Sequence, residues 1–130
     1  MNKVKFRVEA EIVRHAKEVG AEAVRNLHVV PMTVVEADVL TGRPKPGGAR
    51  YVVDDGVCGF ASINVKPGTS RFARYLVESG LASRDHFRGG VTWYISDFNQ
   101  SLQRKEAFAF AAASVLRGYG IKAYASSRMD

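Results

Sequence analysis

With 130 residues, 46% of them hydrophobic and 25% charged, the chain has the composition of a globular protein and the length of one domain, residues 1–130, able to bury about two thirds of its unfolded surface without metal or disulfide support. No apolar run approaches the roughly 18 residues that span a bilayer, and Met1 to Phe6 lacks the apolar block of a signal peptide, so a cytoplasmic protein with no membrane contact is expected. The net charge of +6 is unevenly placed: Met1 to Asp38 carries six basic and six acidic residues, and the remainder thirteen against seven, which favours an acidic partner.

Val8, Ile12, Ala16, Val19, Ala23 and Leu27 recur at helical spacing and predict a helix over Glu9 to Leu27, weakened or broken at Gly20. His28 to Leu40, rich in Val and Thr and interrupted by Pro31, predicts an extended edge strand. Thr41 to Gly48 reads as a basic loop. Tyr51 to Asp54 and Val57 to Val65 flank Asp55-Gly56, a tight-turn signal that predicts an antiparallel hairpin. A helix over Ser70 to Ser79 follows, with Thr69 as its cap and Gly80 at its end. Gly80 to Gly90 reads as a separate basic loop. Val91 to Ser96 is the next strand, Ser101 to Arg117 the next helix, stopped by Gly118 and Gly120, and Ile121 to Ser126 the last strand.

The fold expected is α+β or α/β: a mixed sheet containing the hairpin and a βαβαβ unit of parallel strands, plus the N-terminal helix. Alternation along the strands separates two faces. Val57, Ala61, Ile63, Val65, Val91, Trp93, Ile95, Ile121, Ala123 and Ala125 form an apolar face that packs on the helices. The other face collects Cys58, Phe60, Ser62, Asn64, Thr92, Tyr94, Ser96, Lys122, Tyr124 and Ser126, and its simplest fate is to be covered by the N-terminal helix or by a second subunit. The single Cys58, in a strand-like run, reads as a buried small hydrophobe.

Parallel strands hand over to their helices along one sheet edge, so the clusters after the strands Val57 to Val65 and Val91 to Ser96 are predicted to meet there. Lys66, Ser70 and Arg71 come from the first cluster, and Asn99, Gln100, Ser101, Arg104 and Lys105 from the second. Helix starts already carry partial positive charge, and basic residues placed against it become favourable when an anion joins them to the free amides. Lys66-Pro67-Gly68-Thr69-Ser70 lacks the glycine spacing of a nucleoside triphosphate loop. The C-terminal Ser126 to Asp130 should emerge at the same edge, either as a frayed tail or with Arg128 folded into the site and the Asp130 side chain or terminal carboxylate paired with a neighbouring cation.

These residues define an anion-binding edge for a phosphate-bearing small molecule such as a nucleotide, with an aromatic nearby for its base. His15, His28 and His86 show no metal or nucleophile spacing, and Asp97 has the position of a turn or capping residue, so no catalytic residue, metal or cofactor is assigned and a binding protein is favoured over an enzyme. A single-stranded nucleic-acid module is the alternative. It would use Phe60, Tyr94 and Tyr124, central in three strands, with basic loops around Arg43, Lys45, Arg84 and Arg88, although the aromatic signature of RNA-recognition domains is absent.

The run Gly89-Gly90-Val91-Thr92-Trp93-Tyr94-Ile95-Ser96-Asp97-Phe98-Asn99-Gln100-Ser101, with Arg104-Lys105-Glu106-Ala107 and the terminal Ala123 to Asp130, resembles small bacteriophage-encoded proteins. That resemblance covers Gly59 to Asp130 and implies an accessory factor that acts on host molecules in an infected or lysogenic cell, host-defence antagonists included. On it, a host protein partner is a third expectation, and self-association stays open.

Overall fold

The computed structural model describes residues 5–28, 32–35, 50–53, 58–98 and 101–129. In chain order these form α1 (Arg7–Arg25), β1 (Met32–Val35), β2 (Arg50–Val53), β3 (Gly59–Lys66), α2 (Arg71–Glu78), β4 (Ser83–Arg84), β5 (Val91–Tyr94), α3 (Leu102–Gly118) and β6 (Lys122–Met129). The fold is α+β, with three helices and a four-stranded sheet in the order β4-β5-β3-β6 among the described residues.

Every neighbouring pair in that sheet is antiparallel, so the expected mixed sheet with parallel β3, β5 and β6 is not what the chain forms. The physical reason is β4. These two residues, inside a segment expected to be a loop, add one chain reversal between α2 and β5 and turn β5 against β3. β5 and β6 do run the same way, but β3 lies between them. The expected hairpin also fails: β2 pairs with β1, Met32 opposite Val53, and not with β3. Its turn, Asp55-Gly56, lies outside the described residues.

The helices cover one sheet face. In α3, Phe108, Ala109, Ala112, Ala113 and Leu116 are buried, because this helix lies between the sheet and α1, whereas Phe110 faces outward. Small residues allow both approaches. Gly20 does not break α1, which continues through it. A Cβ there would stand 2.8 Å from Phe108, so the glycine instead permits close contact between the two helices. Ser70, not Thr69, caps α2, its Oγ accepting from the Ala73 amide at 3.1 Å. A helix of eight residues is marginal alone, and α2 is held by burying Phe72, Ala73, Tyr75 and Leu76 against β5 and α1. Burying a side chain such as Leu76 contributes about 1.5–3 kcal/mol.

Side-chain directions in the sheet follow the expected alternation, but burial does not, since Ser62, Asn64 and Thr92 on the second face are buried as well. Ala61, Ile63, Val65, Val91, Trp93, Ile95 and Ala123 are buried under the helices. The opposite face is not covered by the N-terminal helix, because α1 packs on α3 in the helical layer. Phe60, Tyr94 and Tyr124 are consequently 39%, 58% and 59% exposed. No helix among the described residues is long and apolar enough to cross a membrane.

Candidate functional site

The open face holds a groove of about 820 Å³, floored by β3, β5 and β6 and walled by the β4–β5 loop. Phe60, Ser62, Tyr94, Ser126 and Arg128 face it from the strands, Asp85, Phe87 and Arg88 from the loop, and Lys105 from the first turn of α3.

Antiparallel order separates what a parallel sheet would have brought together. The C-terminal end of β3, which leads into α2, and the C-terminal end of β5, which leads into α3, lie at opposite ends of the sheet. Lys66, Ser70 and Arg71 are therefore not beside Ser101, Arg104 and Lys105, and the expected single anion edge does not exist. Ser70 is a helix cap. Arg71 turns back to α1, its Nε 3.2 Å from Glu9 Oε1 and its guanidinium 5.1 Å from the Phe6 ring centre. Lys66 ends β3, exposed on the open face opposite Lys122. Asn99 and Gln100 lie outside the described residues, as do Arg43, Lys45 and Asp130.

At the other end, three of the expected residues converge. Ser101 is buried and caps α3, its Oγ accepting from the Arg104 amide at 3.3 Å. Its backbone bridges Cys58, which is exposed and so is not the expected core residue: the chain has not yet entered β3 there. Arg128 belongs to β6 rather than to a frayed tail, pairing with Phe60 of β3, and its guanidinium lies 5.2 Å from the Phe60 ring centre.

Lys105 is the least ordinary member. It is only 4% exposed, and its Nζ lies 5.6 Å from the Phe60 ring centre with one long hydrogen bond, 3.4 Å, to the Gly59 carbonyl. An ammonium carries three donors, yet no carboxylate pairs with Lys105 or Arg128 among the described residues. The first turn of α3 contains no acidic residue either, so Lys105 stands against the positive end of the helix dipole. Phe60 thus has a cation on each of two neighbouring elements, and all three side chains line the groove.

The β4–β5 loop was expected to be a separate basic element, but it folds onto the same face. Asp85 organises it. Its Oδ1 accepts from the Phe87 and Arg88 amides at 3.0 and 2.9 Å, and its Oδ2 from Arg88 Nε at 2.8 Å and the Thr92 hydroxyl at 2.7 Å. The Arg88 amide, then the Thr92 hydroxyl, hold the Asp85 carboxyl far below the ordinary carboxylate range. Arg88 Nη1 reaches Ser126 Oγ at 3.1 Å, and Asn64 Nδ2 donates to the Gly89 carbonyl at 2.9 Å. Gly90 has φ +65°, and a Cβ there would collide with the Val65 carbonyl, so only glycine lets the loop lie this close to β3. Phe87, at the loop tip, is fully exposed.

From the sequence, Asp85 stands with Arg84, His86 and Arg88 only as part of the basic loop, with no role of its own, and Phe87 carries no signal there. The signal for the loop was Asp85-x-x-Arg88, the pattern of an aspartate that accepts from amides two and three residues ahead. Phe60, Tyr94, Tyr124 and Arg88, named for the nucleic-acid alternative, do share the open face, whereas Arg84 lies in β4. Asp97 lines a smaller cavity of about 410 Å³ together with Lys17, Trp93, Phe98 and Phe108. No group of three or more His, Cys, Asp or Glu side chains able to hold a metal occurs among the described residues. No family model, curated protein or solved structure matches the chain.

Proposed function

We propose that this protein binds a phosphate-bearing ligand of nucleotide type in the groove on its open sheet face, the base stacking on Phe60 or Tyr94 and the phosphate meeting Lys105 and Arg128. The observation that carries this reading is Lys105: a buried ammonium with one long hydrogen bond and, among the described residues, no carboxylate is costly unless an anion completes its coordination. Among the described residues of the groove lining the acidic one is Asp85, and its pairing with Arg88 leaves Lys105 and Arg128 as the cations at the other end. A volume of about 820 Å³ lies in the range of small-molecule sites. On the resemblance to phage proteins, the role is that of an accessory factor in the cytoplasm of an infected or lysogenic host, where holding a nucleotide out of circulation would blunt a defence response.

Calorimetric titration of the wild type and of Lys105→Met with a nucleoside monophosphate, the matching nucleoside and inorganic phosphate tests this. The monophosphate should bind saturably and more tightly than either fragment, with at least about a tenfold loss in Lys105→Met, since charge-assisted hydrogen bonds contribute about 1.5–3 kcal/mol. Equal affinity for nucleoside and nucleotide, or no binding by any of the three, would sink the reading and leave a host protein as the partner to pursue.

A further inference from the structure

The geometry points to single-stranded nucleic acid as the ligand class, laid along β6 from the Phe60 end of the sheet to the Lys122 end; this rests on the nucleotide site above and extends it. Side chains on one face of a strand recur at every second residue, so Arg128, Ser126, Tyr124 and Lys122 form a continuous row on the open face. Six residue steps at about 3.3 Å separate the ends of that row by about 20 Å, more than a single nucleotide spans.

Both ends offer the same pair of features. At one, Phe60 lies between the cations of Lys105 and Arg128. At the other, the Tyr124 ring is exposed with the Arg117 guanidinium 6.0 Å from its centre, and Lys122 stands directly opposite Lys66. Like charges in opposed positions weaken a sheet, and a phosphate between them reverses the sign of that interaction. In the middle of the row, Arg88 meets Ser126. Aromatic faces alternating with cations match the alternation of base and phosphate along a strand, and stacking on exposed rings needs unpaired bases, which a duplex does not present. A lone nucleotide would use the Phe60 end and give no role to the other.

Fluorescence anisotropy competition with uridine monophosphate, a uridine dinucleotide, tetranucleotide and octanucleotide, and a duplex of the octanucleotide tests the assignment. Affinity should rise about tenfold or more from mononucleotide to tetranucleotide and weaken as salt increases, with a logarithmic slope of about 0.7 per phosphate neutralised. Tyr124→Ala should weaken the tetranucleotide about tenfold and leave the mononucleotide unchanged, whereas Phe60→Ala should weaken both. Equal affinity for mononucleotide and tetranucleotide, no effect of Tyr124→Ala on the tetranucleotide, or duplex binding as tight as single strand would overturn the extended ligand while the nucleotide site stands. Binding of none of these probes would overturn both.

Discussion

Lys66 and Lys122 occupy directly opposed positions on β3 and β6, both on the open sheet face. The free protein therefore carries a like-charge cross-strand pair, unfavourable by some tenths of a kcal/mol. Lys122→Glu converts it into an attractive pair. The expected result is a gain of about 0.5 kcal/mol, or about 2 °C in melting temperature for a domain of this size, together with weaker oligonucleotide binding. A lower melting temperature would show that the two ammonium groups splay apart instead of opposing each other.

Lys105 gives the opposite balance between stability and binding from an ordinary structural lysine. Its ammonium is nearly buried with a single long bond among the described residues, so an apolar chain of similar length should lose little when it takes that place. Lys105→Met is expected to keep stability within about 1 kcal/mol of the wild type or to raise it, while binding is lost. Denaturant unfolding of the two proteins supplies the check. A loss of several kcal/mol would mean that Lys105 holds the start of β3 at Gly59 and serves the fold.

The faces of the sheet were legible because alternation is a local property: Ala61, Ile63 and Val65 against Phe60, Ser62 and Asn64 need no partner to be read. Strand direction was not legible. A helix between two strands favours a parallel reading, and only the two residues of β4, too short for any periodicity, reverse it. That one reversal moved Lys66, Ser70 and Arg71 away from Lys105 and Arg128. Pairing partners were hidden for a related reason. The Asp55-Gly56 signal is local, whereas β2 pairs with β1 some fifteen residues earlier, and nothing in either segment marks that choice. Gly20 shows the same limit inside a helix, since its purpose is visible only once Phe108, distant in sequence, is beside it.

Asp85 governs the acid response of the β4–β5 loop. Hydrogen bonds from the Arg88 amide and the Thr92 hydroxyl favour its charged form in the folded state and lower its pKa. The sign follows from linkage: the stabilisation is complete above the unfolded carboxyl value of about 3.9 and is lost as pH falls through the lower folded value. The stability difference between wild type and Asp85→Asn should stay constant from about pH 8 to about pH 5 and shrink only below about pH 4. Urea midpoints across that range would show it. A difference that closes near neutrality would contradict the network described.

Gly20 sets the distance between α1 and α3, and its substitution tests the helical layer independently of any ligand. Alanine is better than glycine in a helix by about 1 kcal/mol, so propensity alone predicts that Gly20→Ala stabilises the protein. Packing predicts the reverse. The added methyl would stand 2.8 Å from Phe108, a buried ring set edge-on to Trp93 and tilted against Phe98, with centres 6.1 and 5.7 Å away. Those neighbours limit any movement of the ring, and overpacking of this kind costs about 1–3 kcal/mol. The net expectation is a loss of up to about 2 kcal/mol, read from denaturant midpoints. Phe108→Leu in the Gly20→Ala background should recover part of it, with a coupling energy of at least about 0.5 kcal/mol because the two sites touch. A single Gly20→Ala variant more stable than the wild type would mean that α1 does not seat on Phe108 as described.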